Sequence, residues 1–537
     1  MTEAADLVIV GARVRTLDPS TPPASALATR GGKIIAVGDR HTITEFRGPH
    51  TEVLDGNGRV VVPGLVDAHA HPLWGARATR DADLSGARDL ADALRRLEIV
   101  ATTRTIGEWI TAHGARREWF VPAPTGAALD AAVGGRPTFV SFLDGHGALA
   151  TPAALARAGV TGPRMFADAS QIVCDVDGTP TGELREPSAM ESVRVHIPPL
   201  APARRRELYR AQFARMAQSG LVGAHVMDDS PADLADLAAL EDEGELAVRL
   251  MVYLWLQPEM DDEQIAEAIS RARGSGRRWS SGAVKLFLDG VIDQGTAWLG
   301  APDLTGHGTA PNWPDPQRYA EVVRRCVGAG LGCATHAIGD RAIRTALDVY
   351  ASVRFADARQ PPCRIEHVEL CDPRDVARFA AHGVIASVQP THIASVAGDP
   401  DSAWVDRLDA ARRGWGWPFA DLARAGAVLA LGSDWPVADL DPRVGMMWAR
   451  QRWAPGRTGP GYRDDQVLGA AAALEGYTRG PARAAGDALG GRIVVGARAD
   501  LTLLGADPVD CAVGDLAQIP VIATIVAGAM GYRSADV

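Results

Sequence analysis

Eight short apolar runs, set apart by amphipathic helical stretches, constrain this chain more than any other feature. In order they are Gly64 to Ala68, Leu221 to Val226, Ala247 to Leu254, Ala283 to Leu288, Leu331 to Thr335, Arg364 to His367, Val384 to Val388 and Val428 to Leu431. Helical patterns lie between them at Ala203 to Gln218, Pro231 to Glu243, Pro316 to Ala329 and Asp340 to Ala356. Short buried runs alternating with helices are the mark of a parallel sheet, and eight such units predict an α/β fold, a (β/α)8 TIM barrel with its chemistry at the C-terminal ends of the strands. About 150 residues separate the first run from the second, too many for a βα connection. That stretch, with a helix at Leu90 to Ala101 and a strand at Pro137 to Leu143, is expected to be a large insertion after the first barrel strand, an inserted lid or subdomain at about 75–200.

Both chain ends have a different texture. Leu7 to Val10, Lys33 to Val37 and Arg59 to Val62 read as short strands between Gly, Asp and Pro turns, and Arg492 to Val495, Asp500 to Leu504 and Val521 to Val526 repeat the pattern. The expected organisation is a small β-sandwich domain formed by both chain ends, 1–62 with 487–537, around a barrel at 63–486. The formal charge of −11, without a basic run, excludes nucleic acid and an anionic membrane as main partners. The longest apolar stretch, Ile519 to Met530, is too short to span a bilayer, and the N-terminus lacks a cationic leader, so a cytoplasmic location is expected. Six cysteines without a CxxC pair do not make a disulfide framework.

The strand ends carry the chemistry. The first run closes in Asp67-Ala68-His69-Ala70-His71-Pro72, and two histidines at i and i+2 of an extended segment point the same way, so both imidazoles can reach one metal ion. The fifth ends at His336, the sixth at Glu366-His367 and the eighth at Asp434, each ligand-competent. Lys285 adds an independent signal. Of 55 basic residues only Lys33 and Lys285 are lysines, and Lys285 sits among apolar neighbours on the fourth run. A protonated amine is costly there. Either it pairs with Asp434 or Glu366, or it loses its proton and captures carbon dioxide as a carbamate, which arginine cannot do.

These motifs, together with Val62-Pro63-Gly64-Leu65-Val66-Asp67, Asp144-Gly145-His146, Pro180-Thr181-Gly182-Glu183-Leu184-Arg185-Glu186, His336-Ala337-Ile338-Gly339-Asp340 and Gln389-Pro390-Thr391-His392, resemble the amidohydrolase superfamily, in particular its amidohydrolase-3 branch with the N-substituted formamide deformylases. The chain departs from that branch at Asp289-Gly290-Val291, where Asp-Gly-Ser is usual. The resemblance implies two divalent ions, zinc by ligand chemistry. One would be held by His69, His71 and Asp434, the second by His336 and His367, with carboxylated Lys285 bridging them. It further implies a hydrolase cleaving an amide-type C–N bond of a small-molecule substrate, an N-substituted formamide or N-acyl amine, by metal-activated hydroxide. Asp434 would act as base, and Lys285 is counted with it in the catalytic centre. Esterase or lactonase activity on the same centre, and a non-catalytic assembly protein on this fold, are the alternatives. Substrate contacts are expected from His146, His392, Glu183, Trp74 and Trp298. No arginine cluster stands at the strand ends, so a multiply anionic substrate is not expected. A homodimer is the assembly allowed for.

Overall fold

A computed structural model describes residues 3–166, 170–228, 231–355, 357, 359–396, 402–453 and 461–535. Its centre is an eight-stranded parallel sheet whose strands follow one another in chain order: β1 (Leu65–Ala70), β2 (Leu221–Val226), β3 (Arg249–Trp255), β4 (Trp279–Phe287), β5 (Gly332–Ala337), β6 (Arg364–His367), β7 (Ile385–Val388) and β8 (Leu429–Leu431). Each corresponds to one of the eight apolar runs. Helices Pro202–Gln218, Pro231–Asp242, Pro316–Gly328 and Asp340–Ser352 occupy the expected connections, the last ending short of its expected Ala356, which lies outside the described residues.

The sheet curls into a TIM barrel. Its last strand returns to its first through the segment after β8, where the Asp434 N–H donates to the His69 carbonyl at 2.7 Å and the Ser433 hydroxyl donates to Asp67 at 2.5 Å. Approach at this seam is close enough that a Cβ on Gly432 would lie 2.5 Å from the His69 nitrogen. The barrel's helix-facing apolar residues, among them Val226, Leu254, Leu286 and Ile365, form one continuous buried core.

The chain ends build two sheets. One pairs Leu7–Val10 with Ala26–Arg30, Lys33–Gly38 and Glu52–Asp55; the other pairs Arg13–Val14 and Val60–Pro63 with the C-terminal strands Leu501–Leu504, Val521–Val526 and Ala529–Arg533. Leu7, Ile9 and Leu27 of the first share a buried cluster with Val61, Leu503 and Ile525 of the second. The expected strand at Arg492 to Val495 does not form. Ile493 is fully buried in that same cluster and donates one hydrogen bond to the Thr16 carbonyl, and the chain then turns, so its β-branched residues plug a core without joining a ladder.

Between β1 and β2 stands a six-stranded mixed sheet, with Thr138–Phe142 and Ile110–Ala115 at its middle and the hairpin Gln171–Cys174/Pro180–Arg185 at one edge. It has its own apolar clusters on both faces. Among the described residues no helix is long and apolar enough to cross a membrane.

Candidate metal centre

At the C-terminal mouth of the barrel, β1 delivers His69 and His71, β4 Lys285, β5 His336, β6 Glu366 and His367, and the turn after β8 Asp434. Asp434 lies at the middle. Its Oδ1 is 3.4 Å from His69 Nε2 and 3.2 Å from His71 Nε2, while its Oδ2 is 4.0 Å from His367 Nδ1 and 3.6 Å from His392 Nε2. Two three-residue groups result, His69/His71/Asp434 and His367/His392/Asp434, each with ligand atoms within 4.8 Å of one another. Asp434 and His367 both adopt positive φ, 59° and 74°, a costly backbone state for residues with a Cβ that recurs where side chains must be aimed at a site.

Carboxylates behind the imidazoles fix which nitrogen faces the centre. His69 Nδ1–H donates to Glu366 at 2.6 Å, and Glu366 is itself clamped by Arg364 at 2.5 and 2.8 Å. Arg364 also reaches the Ala68 carbonyl and the Ser387 hydroxyl, tying β1, β6 and β7 together beneath the site. His71 Nδ1–H donates to Asp228 at 2.8 Å, whose other oxygen accepts the Leu73 and Trp74 amides. Each arrangement turns Nε2 toward Asp434 and the centre, the usual preparation of a histidine for a metal. His69 Nε2 and His367 Nδ1 are buried and make no hydrogen bond among the described residues. Two orphaned imidazole nitrogens around a carboxylate fit a divalent cation.

The electrostatics agree. Burial pushes Asp434 up, but His69 and His71 outweigh it and hold its carboxyl well below the usual range. Burial lowers His71, yet Asp228 and Asp434 carry it to about 9, so the pocket attracts positive charge. Lys285 is 1% exposed, and burial lowers its amine to about 8, with Glu366 and Asp434 offsetting only part of the penalty. It forms no ion pair with either acid; its Nζ lies over the Phe287 ring, 4.9 Å from the centroid. The simple salt-bridged lysine allowed by the sequence is thus not what the structure places there.

His336 packs against His367 with centroids 4.4 Å apart, but its Nε2 is engaged by the Gly290 carbonyl at 3.0 Å, leaving Nδ1 for any ligand. It is His392, expected as a substrate contact, that completes the second group with His367. His146 also reaches the site, its Nδ1 bound by Glu186 at 2.9 Å and its ring 5.2 Å from His336.

A cavity of about 1080 Å³ opens at this mouth, walled by Trp74, Trp255 and Phe287 and by Phe139, His146 and Met190 of the inserted segment. Trp74 stands in it, edge-on to His71. Three expected substrate contacts, Glu183, Trp298 and His392, do not line it. Glu183 is buried and ion-paired with Arg117 and Arg185 inside the inserted sheet, because an acid at that strand position meets two guanidiniums before it can reach the cavity. Trp298 stacks under Arg341 and packs its backbone on Asp289 and Gly339. Sequence reading missed Asp228, Asp289 and Glu369. Asp289, raised by burial to about 8 against three backbone amides, braces the loop after β5. Glu369 lies 3.7 Å from His392 Nδ1. Position just past a barrel strand was the signal available for Asp228 and Asp289.

Comparison with known proteins agrees with this geometry. The model of the "Amidohydrolase family" matches residues 52–532. An N-substituted formamide deformylase of Arthrobacter pascens is 29% identical across 99% of both chains, and the putative amidohydrolase YtcJ of Bacillus subtilis is 26% identical over 95% of this chain and 96% of its own. Among solved structures, an uncharacterized metal-dependent hydrolase from Pyrococcus horikoshii superposes with a TM-score of 0.74 at 25% identity, covering 95% of this chain and 99% of its own.

Proposed function

The chain belongs to the amidohydrolase family, and from that premise we propose that it hydrolyses an amide-type C–N bond of the N-substituted formamide or N-acyl amine class. The observation that carries the reading is the placement of Asp434, with one oxygen facing His69 and His71 and the other facing His367 and His392. In this reading His69, His71 and Asp434 would hold one ion, and His367, with His336 beside it, would hold a second. Lys285, whose buried amine could add to carbon dioxide with loss of a proton, would supply carbamate oxygens as further ligands. Zinc ions bound there would polarise the substrate carbonyl and acidify a water.

The protein's own groups do the rest. Asp434, held ionised by its histidines, takes a proton from the attacking water and delivers it to the departing nitrogen. Glu366 and Asp228 keep His69 and His71 in the tautomer that frees Nε2. His146, backed by Glu186, contacts the substrate's polar end, His392, backed by Glu369, stands beside Asp434 at the edge of the centre, and Trp74 packs on the substrate's apolar part. The mixed sheet at 75–200 serves as the lid of this cavity, and the sheets of 1–62 and 487–537 form a composite β-sandwich domain.

The test is a screen of N-formyl, N-acyl and ester substrates on zinc-loaded protein. Turnover of the N-substituted amides, abolished by a chelator and restored by zinc, is expected. Ester turnover without amide turnover would replace this reading with an esterase.

A further inference from the structure

The inserted sheet brings together charges that are dispersed in the sequence. Beside the main cavity lies a second one, of about 460 Å³, walled by Arg80, Arg104, Arg157 and Arg204 against only Asp81 and Glu108. In a chain of net charge −11 this is a local excess of two positive charges, four less two. Arg80, Pro198 and Leu200 line both cavities, so the two are neighbours across Arg80.

Arg80 is the least exposed of the four and only loosely paired. Its side chain is only 16% exposed, and its nearest carboxylate oxygen, Asp81 Oδ2, is 3.8 Å from Nε. Asp81 is already committed. It accepts from Arg104 at 2.5 Å and from the amide and hydroxyl of Thr111 at 2.9 and 3.1 Å. Burial above all, with Arg104 and Arg77 nearby and only Asp81 opposing, holds the Arg80 guanidinium below the ordinary arginine range. An oxyanion at its open Nη groups would relieve that crowding, and a guanidinium fork suits a carboxylate. Asp434 and Arg80 line the same cavity, whose wall includes the rings of Trp74, Phe139, Trp255 and Phe287, which accommodate an uncharged stem.

We propose that the basic cleft at Arg80 is an anion subsite of the hydrolytic cavity. It takes a single carboxylate at the far end of an elongated, otherwise apolar amide whose scissile bond rests at Asp434. The subsite names the substrate class for the amide-hydrolase reading above and rests on it.

The test compares zinc-loaded wild type, Arg80→Gln and Arg157→Gln on chain-matched N-acyl amines that end in a carboxylate or in a neutral carboxamide. Wild type should favour the carboxylate member at least tenfold in kcat/KM, mainly through KM, and Arg80→Gln should bring that ratio close to one. Arg157→Gln, on the exposed wall, should lower it by a smaller factor. A wild-type ratio near one, or a preference that survives both substitutions, overturns the subsite. If no amide is cleaved, the hydrolase reading has failed, and calorimetric titration with adipate and with inorganic phosphate decides the subsite alone. Adipate binding that is lost in Arg80→Gln sustains a carboxylate site. Binding of phosphate only, or of neither, overturns it.

Discussion

Lys285 is the residue on which charge and chemistry can be separated most cleanly. Lys285→Arg keeps the cation but cannot form a carbamate, since guanidinium stays protonated at any usable pH. The expected outcome is loss of the second ion and of activity, while Lys285→Ala recovers part of both when short carboxylic acids are added. Metal analysis and turnover read this directly, and full activity in Lys285→Arg would return Lys285 to a simple cation. Asp434→Asn separates binding from proton transfer. The amide oxygen can still ligate, so much of the metal should remain while turnover falls by on the order of 10² or more. Near-normal turnover with metal retained would move the base elsewhere, His392 first, since its Nε2 lies 3.6 Å from Asp434. The histidine pair and the lone buried lysine were legible in sequence because each breaks a rule visible along the chain: HxH at a strand end, and a lysine where the chain otherwise writes arginine. Glu183 and Trp298 misled for the same reason. Their neighbours in sequence lie near the centre, but side-chain direction is decided by partners such as Arg117 and Arg341, which are remote in sequence or not distinctive in it.

At the scale of elements, β6 is the strand that both faces the candidate metal centre and braces it. Arg364 and Glu366 are alternate positions of the strand, so they share the barrel interior, where both are fully buried. Removing one member of a buried pair strands the other's charge, at roughly 3–5 kcal/mol. Glu366→Gln should therefore lower Tm, and by freeing the His69 ring it should also weaken metal binding by about 10–100-fold. The pH dependence follows from the same contacts. Burial raises Glu366, but Arg364 and His69 prevail and hold it far below its unfolded value. A depressed carboxylate contributes stability that is fully present above the unfolded pKa of about 4.3 and is lost as pH falls below it. Acid unfolding curves of wild type and Glu366→Gln should accordingly begin to approach each other below about pH 4 and draw together progressively as pH falls toward the depressed folded value; parallel curves would show that Glu366 is not the group responsible. All eight barrel strands were readable from short apolar runs, because a strand buried on both faces needs no alternation. Arg492 to Val495 was misread since burial alone produces the same β-branched run in an irregular segment whose backbone makes too few ladder bonds to be a strand.

For the whole molecule, the decisive contact is between the first barrel strand and the turn after the last. Sequence order predicts that β1 and β8 are neighbours in a closed barrel, but what fastens them could not be read from it, because the Asp434-to-His69 and Ser433-to-Asp67 bonds join residues some 365 positions apart. His69 and His71 come from one side of that seam and Asp434 from the other, so an ion held by all three would also clasp the barrel. Ligand binding stabilises the native state by RT ln(1 + [L]/Kd), about 4 kcal/mol at a thousandfold excess over Kd. Two ions per chain are expected in zinc-loaded protein by metal analysis, and stripping them should lower Tm by several degrees. The loss should be smaller in a protein that already lacks half the clasp, so a chelator should shift Tm less in Asp434→Ala than in wild type. Equal shifts in the two proteins would place the stabilising ion away from the seam. A single ion in fully loaded, active protein would leave the clasp intact and remove the bridged pair.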